Sequence, residues 1–239
     1  MGTLINCAAI LIAGILGTKL GERIPERMRD TILKANGAAV IALGLAGFLS
    51  KALVIEDGVI TSTGTMNMIF SMCLGSAVGS WIDLEAKLEQ FGEYLKRKTG
   101  NKGDMKFTDA FMTASLTVCI GAMAIVGAIE DGINGDMSIL LSKAILDFVI
   151  ILVMASSMGK GVLFSFIPVG ILQGGVTILA HALAGVFTMP ILNALSLTGS
   201  LIITLVGVNL LFGKTISTAN LLPALLFTSV FAAFSGFGI

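Results

Sequence analysis

Ser138–Gly159 reads SILLSKAILDFVIILVMASSMG, and this stretch decides the fold class. A helix needs about 20 mostly apolar residues to cross the hydrocarbon core of a bilayer, and this run supplies them. Two charges sit inside it. Asp147 lies nine residues after Ser138, about 13 Å down a helix rising 1.5 Å per residue. Lys143 is one turn earlier on the same face, at the i, i+4 spacing that permits an ion pair. Charges at this depth cost several kcal/mol unless paired or hydrated. The two residues are therefore a structural ion pair or part of an ion path. Lys143 can also snorkel outward and leave Asp147 to an ion.

Working outward, the same ruler predicts spans at about 3–20, 36–53, 64–82, 111–129, 162–185, 191–212 and 219–237. The expected fold is an all-α polytopic membrane protein of about eight transmembrane helices, forming a single transmembrane domain over 1–239. Composition agrees, with 55% hydrophobic and 13% charged residues where soluble domains carry about 25% charged. The formal net charge is zero, which argues against a nucleic-acid partner. The first residues lack a basic n-region, so Leu4–Leu20 reads as a retained span. Asn6 before Cys7 argues against a lipoprotein box. Cys7, Cys73 and Cys119 lack C-x-x-C spacing and read as packed thiols.

Basic residues give a direction. Lys19, Arg23, Arg27, Arg29 and Lys34 follow the first span, and Lys87, Lys96, Arg97, Lys98, Lys102 and Lys106 follow the third. Lys160 and Lys214 follow the fifth and seventh; only Lys51 and Lys143 lie toward the other side. The odd-numbered loops are expected in the cytoplasm of a bacterial cell, with both termini outside the inner membrane. Ile24, Met28 and Ile32 recur every four residues in the first loop, and Leu84, Leu88, Phe91 and Leu95 recur at helical spacing in the second. Segments 22–34 and 84–98 therefore read as two cytoplasmic amphipathic helices.

Span, amphipathic helix, span occurs twice, which suggests internal repeats. Glycine-spaced segments Gly37–Gly44 and Gly121–Gly127 follow the two long loops, and Gly199–Gly207 opens the seventh span. Gly17/Gly21, Gly75/Gly79 and Gly170/Gly174 are small-residue spacings that let helices approach closely. In the sixth span Gln173, Thr177 and His181 share one helical face. Glu130, Asp131 and Asp136 gather in the outer loop before the fifth span, either as a cation vestibule or as an ordinary polar turn. One histidine cannot make a multi-histidine metal site, and no Ser/His/Asp or Cys/His set faces an aqueous compartment.

The stretch from Cys119 through Gly121-Ala-Met-Ala-Ile-Val-Gly127 to Glu130-Asp131-Gly132 is the most distinctive. With Gly17-Thr-Lys-Leu-Gly21, Lys143-Ala-Ile-Leu-Asp147 and Asn220-Leu-Leu-Pro223-Ala224, it resembles the DUF554 family of bacterial multi-pass membrane proteins over nearly the whole chain. The resemblance implies membrane location and a transport role, and it supplies no catalytic residue. The leading expectation is a transporter or channel-like permease for a small ion or polar solute. Its candidate pathway is Asp147, Lys143, Glu130, Asp131, Gln173, Thr177 and His181, with no cofactor and no enzymatic activity. Expected partners are the lipid bilayer, the solute and a second copy of the chain. The alternatives are a membrane-embedded regulatory or scaffold protein acting through the amphipathic helices, and an intramembrane enzyme acting on lipid.

Overall fold

Lipid offers backbone N–H and C=O groups no partner, so a chain this apolar must satisfy them within its own helices. The computed structural model describes residues 1–56, 58–119, 122–180, 185 and 187–235, and among them helix dominates. In chain order these are α1 (Gly2–Glu22), α2 (Glu26–Ala52), α3 (Thr65–Ile82), α4 (Leu84–Lys98), α5 (Phe107–Cys119), α6 (Ala122–Ile133), α7 (Ser138–Met158), α8 (Phe166–Ile178), α9 (Met189–Phe212) and α10 (Pro223–Ser235). Short 3-10 turns, Lys160–Ser165 and Thr218–Leu221, lead into α8 and α10. Among the described residues, five stretches are long and apolar enough to cross a membrane: α1, Asp30–Ala52, α7, Lys160–Ile178 and α9. Large apolar side chains such as Ile12, Phe70, Ile145, Ile171 and Leu226 are exposed on the outer surface, as a bilayer requires.

Two sequence expectations are corrected. The span expected at 111–129 is two helices, α5 and α6, whose axes differ by 62°. Ser115 and Thr117 in α5 turn their hydroxyls back onto the carbonyls of Phe111 and Thr113, at 2.6 and 2.7 Å, which weakens the ladder ahead of the bend. Segment 22–34 is helical from Glu26 but is not a separate helix, because it runs unbroken into α2. Pro25 starts that helix and no glycine or proline interrupts it before Gly37. The loop after α2 holds a hairpin, β1 (Leu53–Glu56) and β2 (Val59–Ser62), in register Leu53↔Ser62 and Glu56↔Val59. Its β-branched residues flank a turn with Gly58 at φ 79°.

Segment 84–98 forms the expected helix. Asp83, at φ 53°, breaks it from α3 and accepts the Ala86 amide at 3.2 Å. Its apolar stripe is covered by α5: Leu88 and Leu95 pack with Phe107 and Phe111, and Phe91 meets Phe111 edge-on at 5.8 Å. Buried over most of its circumference, polar residues included, α5 is the central helix, contributing Ala110, Ala114 and Val118 to one core and Leu116 to another.

The outer helices pair by backbone contact. A Cβ on Gly17 or Gly21 of α1 would fall 2.4 Å from the carbonyl oxygen of Leu152 or Ser156 on α7, which runs parallel. The Gly37–Gly44 segment packs antiparallel on the Gly207 region of α9, and α3 packs antiparallel on α10 through Gly75 and Gly79. Of the Gly170/Gly174 pair, Gly170 faces Cys7 of α1, and Gly174 meets no neighbour among the described residues. Two junctions in the second half of the chain resemble each other: α7 and α9 each end at a Gly-Lys pair and reach the next helix through a 3-10 turn. Gly159 (φ 91°, ψ −157°) and Gly213 (φ 84°, ψ 176°) share a backbone conformation close to exclusive to glycine.

Candidate functional site

The close approach of α1 to α7 sets Asn6 beside Asp147. Asn6 Nδ2 donates to Asp147 Oδ2 at 3.0 Å and to Gln173 Oε1 of α8 at 3.3 Å. Lys143 Nζ donates to the same Asp147 oxygen at 2.6 Å and to the Val118 carbonyl at 2.8 Å. Val118 lies in the last turn of α5, and the residue four further on, Ala122, begins α6 beyond the bend. Its carbonyl is thus one of those a helix end leaves without a ladder partner. Asn6, Lys143, Asp147 and Gln173 are all buried, Asn6 and Gln173 to within 1% of complete.

The chain of contacts continues toward the α6–α7 turn. Thr3 and Thr177 share a hydroxyl bond at 3.3 Å. Asp131 accepts the Gly2 amide at 2.9 Å and the Met1 amino group at 2.8 Å. Glu130 stands apart, accepting from Asn134 at 2.6 Å in the exposed turn. Asp136 caps the start of α7 through the Ser138 amide, at 2.9 Å, and hydroxyl; those two bonds hold its carboxyl below the usual carboxylate range. His181 lies outside the described residues. The structure therefore joins Lys143, Asp147 and Gln173 directly through Asn6 and sets Thr177 and Asp131 along the same face of α1. Among the described residues these groups bond one another, and Glu130 is not part of that network.

Two atoms in the network are left over. Asn6 Oδ1 and Gln173 Nε2 are buried and have no hydrogen-bond partner among the described residues. Each such atom costs about 1–3 kcal/mol in a dry interior, so the site holds unspent bonding capacity beside a charged pair.

An uncharged counterpart lies across the bundle. Asn67 Oδ1 of α3 accepts from Ser71 at 3.0 Å and from Thr228 of α10 at 3.1 Å, and Thr198 of α9 donates to Thr228 at 3.1 Å. The first cluster joins α1, α7 and α8; the second joins α3, α9 and α10. At the lysine-rich end, a cavity of about 320 Å³ opens between α2, α5 and α9, lined among others by Asp30, Lys34, Glu85, Asp109, Met158, Asn209 and Lys214. Lys214 bonds both Glu85, at 3.1 Å, and Glu89. A second cavity at this end brings Glu22, Asn101 and Lys160 together.

A family model described as a protein of unknown function (DUF554) matches residues 1–233. The chain belongs to the DUF554 family. Two curated relatives align with almost all of this DUF554 chain. One, from Bacillus subtilis (strain 168), is named the uncharacterized membrane protein YdfK; it is 26% identical over 229 residues, 96% of this chain and 94% of its own. The other, the uncharacterized protein YqgA of Escherichia coli (strain K12), is 28% identical over 233 residues, 95% of this chain and 93% of its own. No solved structure matches. This DUF554 chain is a membrane protein, and its network of buried charges and amides lies on helices that suit the bilayer.

Proposed function

We propose that this DUF554 protein is a transporter or channel-like permease for a small ion or polar solute and performs no catalysis. The carrying observation is the buried Lys143–Asp147 pair, tied to three other elements through Val118, Asn6 and Gln173, with two bonding atoms unspent. The two unpartnered atoms leave an acceptor and a donor available to a ligand beside the charged pair. The bend between α5 and α6 supports the reading, since broken helices expose backbone carbonyls to ions in many transporters. We place the lysine-rich end in the cytoplasm of a bacterial inner membrane, with eight passes and both termini outside. The scaffold reading loses ground because the apolar stripe of α4 is already covered by α5.

Purified protein in liposomes, assayed against a panel of cations, anions and neutral solutes, tests this. A solute should cross in the wild type and fail to cross in Asp147→Asn. Movement of no solute, or full flux in Asp147→Asn, would remove the basis for the proposal.

A further inference from the structure

The Lys143 ammonium sits where a cation ligand set converges: a carboxylate oxygen of Asp147 at 2.6 Å and a main-chain carbonyl of Val118 at 2.8 Å. Asn6 reaches the same carboxylate, and its own Oδ1 is buried without a partner. We infer that Lys143 is a tethered counter-ion occupying a monovalent-cation site built by Asp147, the Val118 carbonyl and Asn6, and that the transported ion displaces it. The inference rests on the transport reading above and names its substrate class.

Three features carry it. Carboxylate and backbone carbonyl oxygens are the ligands hard cations take, and Asn6, donating its Nδ2 to Asp147, orients the carboxylate. The set offers one carboxylate, which balances one positive charge; divalent sites commonly collect several. Gln173 Nε2, a donor no cation can use, fits the oxygen of a water retained by the bound ion. Exchange also solves an electrostatic problem. A bare carboxylate left behind in lipid is costly, but an ammonium that leaves as the ion enters keeps the site neutral. The flexible stem of lysine permits this movement. Lys143 lies in the second turn of α7, on the side of Asp147 nearer the start of that helix.

The test is binding of radioactive sodium and rubidium to purified protein in nanodiscs. A tether that fills the site lowers apparent affinity in proportion to the fraction of time it is bound. Lys143→Met should therefore bind one of these ions at least about tenfold more tightly than wild type, and adding Asp147→Asn should abolish that binding. Asn6→Ala leaves the charged pair in place and should weaken cation binding in the wild-type background. A folded Lys143→Met protein that binds neither ion overturns the inference, as does wild-type affinity in Asn6→Ala. If Lys143→Met does not fold, the Asn6→Ala comparison decides alone. The flux panel separates the two readings. An anion or neutral solute crossing independently of cations sinks the cation site but keeps transport. Tight cation binding without flux of any solute does the reverse.

Discussion

Asn6 shows what one amide does in an apolar helix: it joins a carboxylate on α7 to a carboxamide on α8. Removing either charge of the Lys143–Asp147 pair leaves the other buried and uncompensated. Asp147→Asn should therefore destabilise the protein by about 3–5 kcal/mol, read by denaturation in detergent. The double variant Lys143→Met with Asp147→Leu should recover most of that stability, since a packed apolar pair can replace a structural ion pair, yet move no solute. Full flux in the double variant would reduce the pair to a structural element. Lys143, Asp147, Gln173 and Thr177 were legible because charges and spaced polar residues stand out in apolar sequence. Asn6 was readable by the same rule, but it was weighed only as the residue before a cysteine. The Val118 carbonyl was not readable, because a backbone acceptor becomes free only where a helix ends, and hydropathy runs smoothly through 111–129.

At the scale of elements, the two Gly-Lys junctions make a sharp comparison. Any side chain at Gly159 or Gly213 must adopt a conformation costing about 1–3 kcal/mol. Alanine at either position should thus lower stability by similar amounts, despite the open space around both glycines; a loss at only one would speak against equivalent junctions. The α4–α5 contact should depend on acid. Thr108 donates to Glu93 at 2.7 Å and Lys96 bonds it at 3.1 Å, and these hold the Glu93 carboxyl below its usual range. Its stabilisation is complete above the ordinary carboxylate pKa and fades as pH falls through the lowered value. The melting-temperature gap between wild type and Thr108→Val should therefore shrink as pH drops below about 4. Sequence periodicity found α4 because its stripe alternates with charge. It separated 22–34 from α2 wrongly, because a change from charged to apolar composition does not end a helix. Repeats were expected among the glycine-spaced spans. The likeness the structure adds is at the junctions after α7 and α9, whose shared glycine conformation leaves only a two-letter trace.

For the molecule as a whole, fold class and membrane location followed from composition, because too few charges exist to cover a soluble surface. The exact passes did not, since the bend at α5–α6 and the 3-10 entries to α8 and α10 break the length rule. Orientation is open to direct measurement. In a background without Cys7, Cys73 and Cys119, single cysteines at Lys98 and Val59 should label from opposite sides, with Val59→Cys reached from outside intact cells. Equal labelling of both from outside would refute the proposed arrangement.

The parallel pairing of α1 with α7 also has a consequence in time. Gly2 faces Leu140 and Gly17 faces Leu152, so the first helix leaves the ribosome long before its partner is synthesised. At about 5–20 residues per second, that interval is roughly ten seconds, and α2 waits still longer for α9. Throughout it, the glycine strip and the amide of Asn6 must be sheltered by lipid or by the insertion machinery. Nascent chains stalled before α7 should consequently crosslink to an insertase through α1, and chains stalled after α8 should have exchanged that contact for α7. Persistence of the insertase contact in the longer chains would mean that the helices assemble only after release.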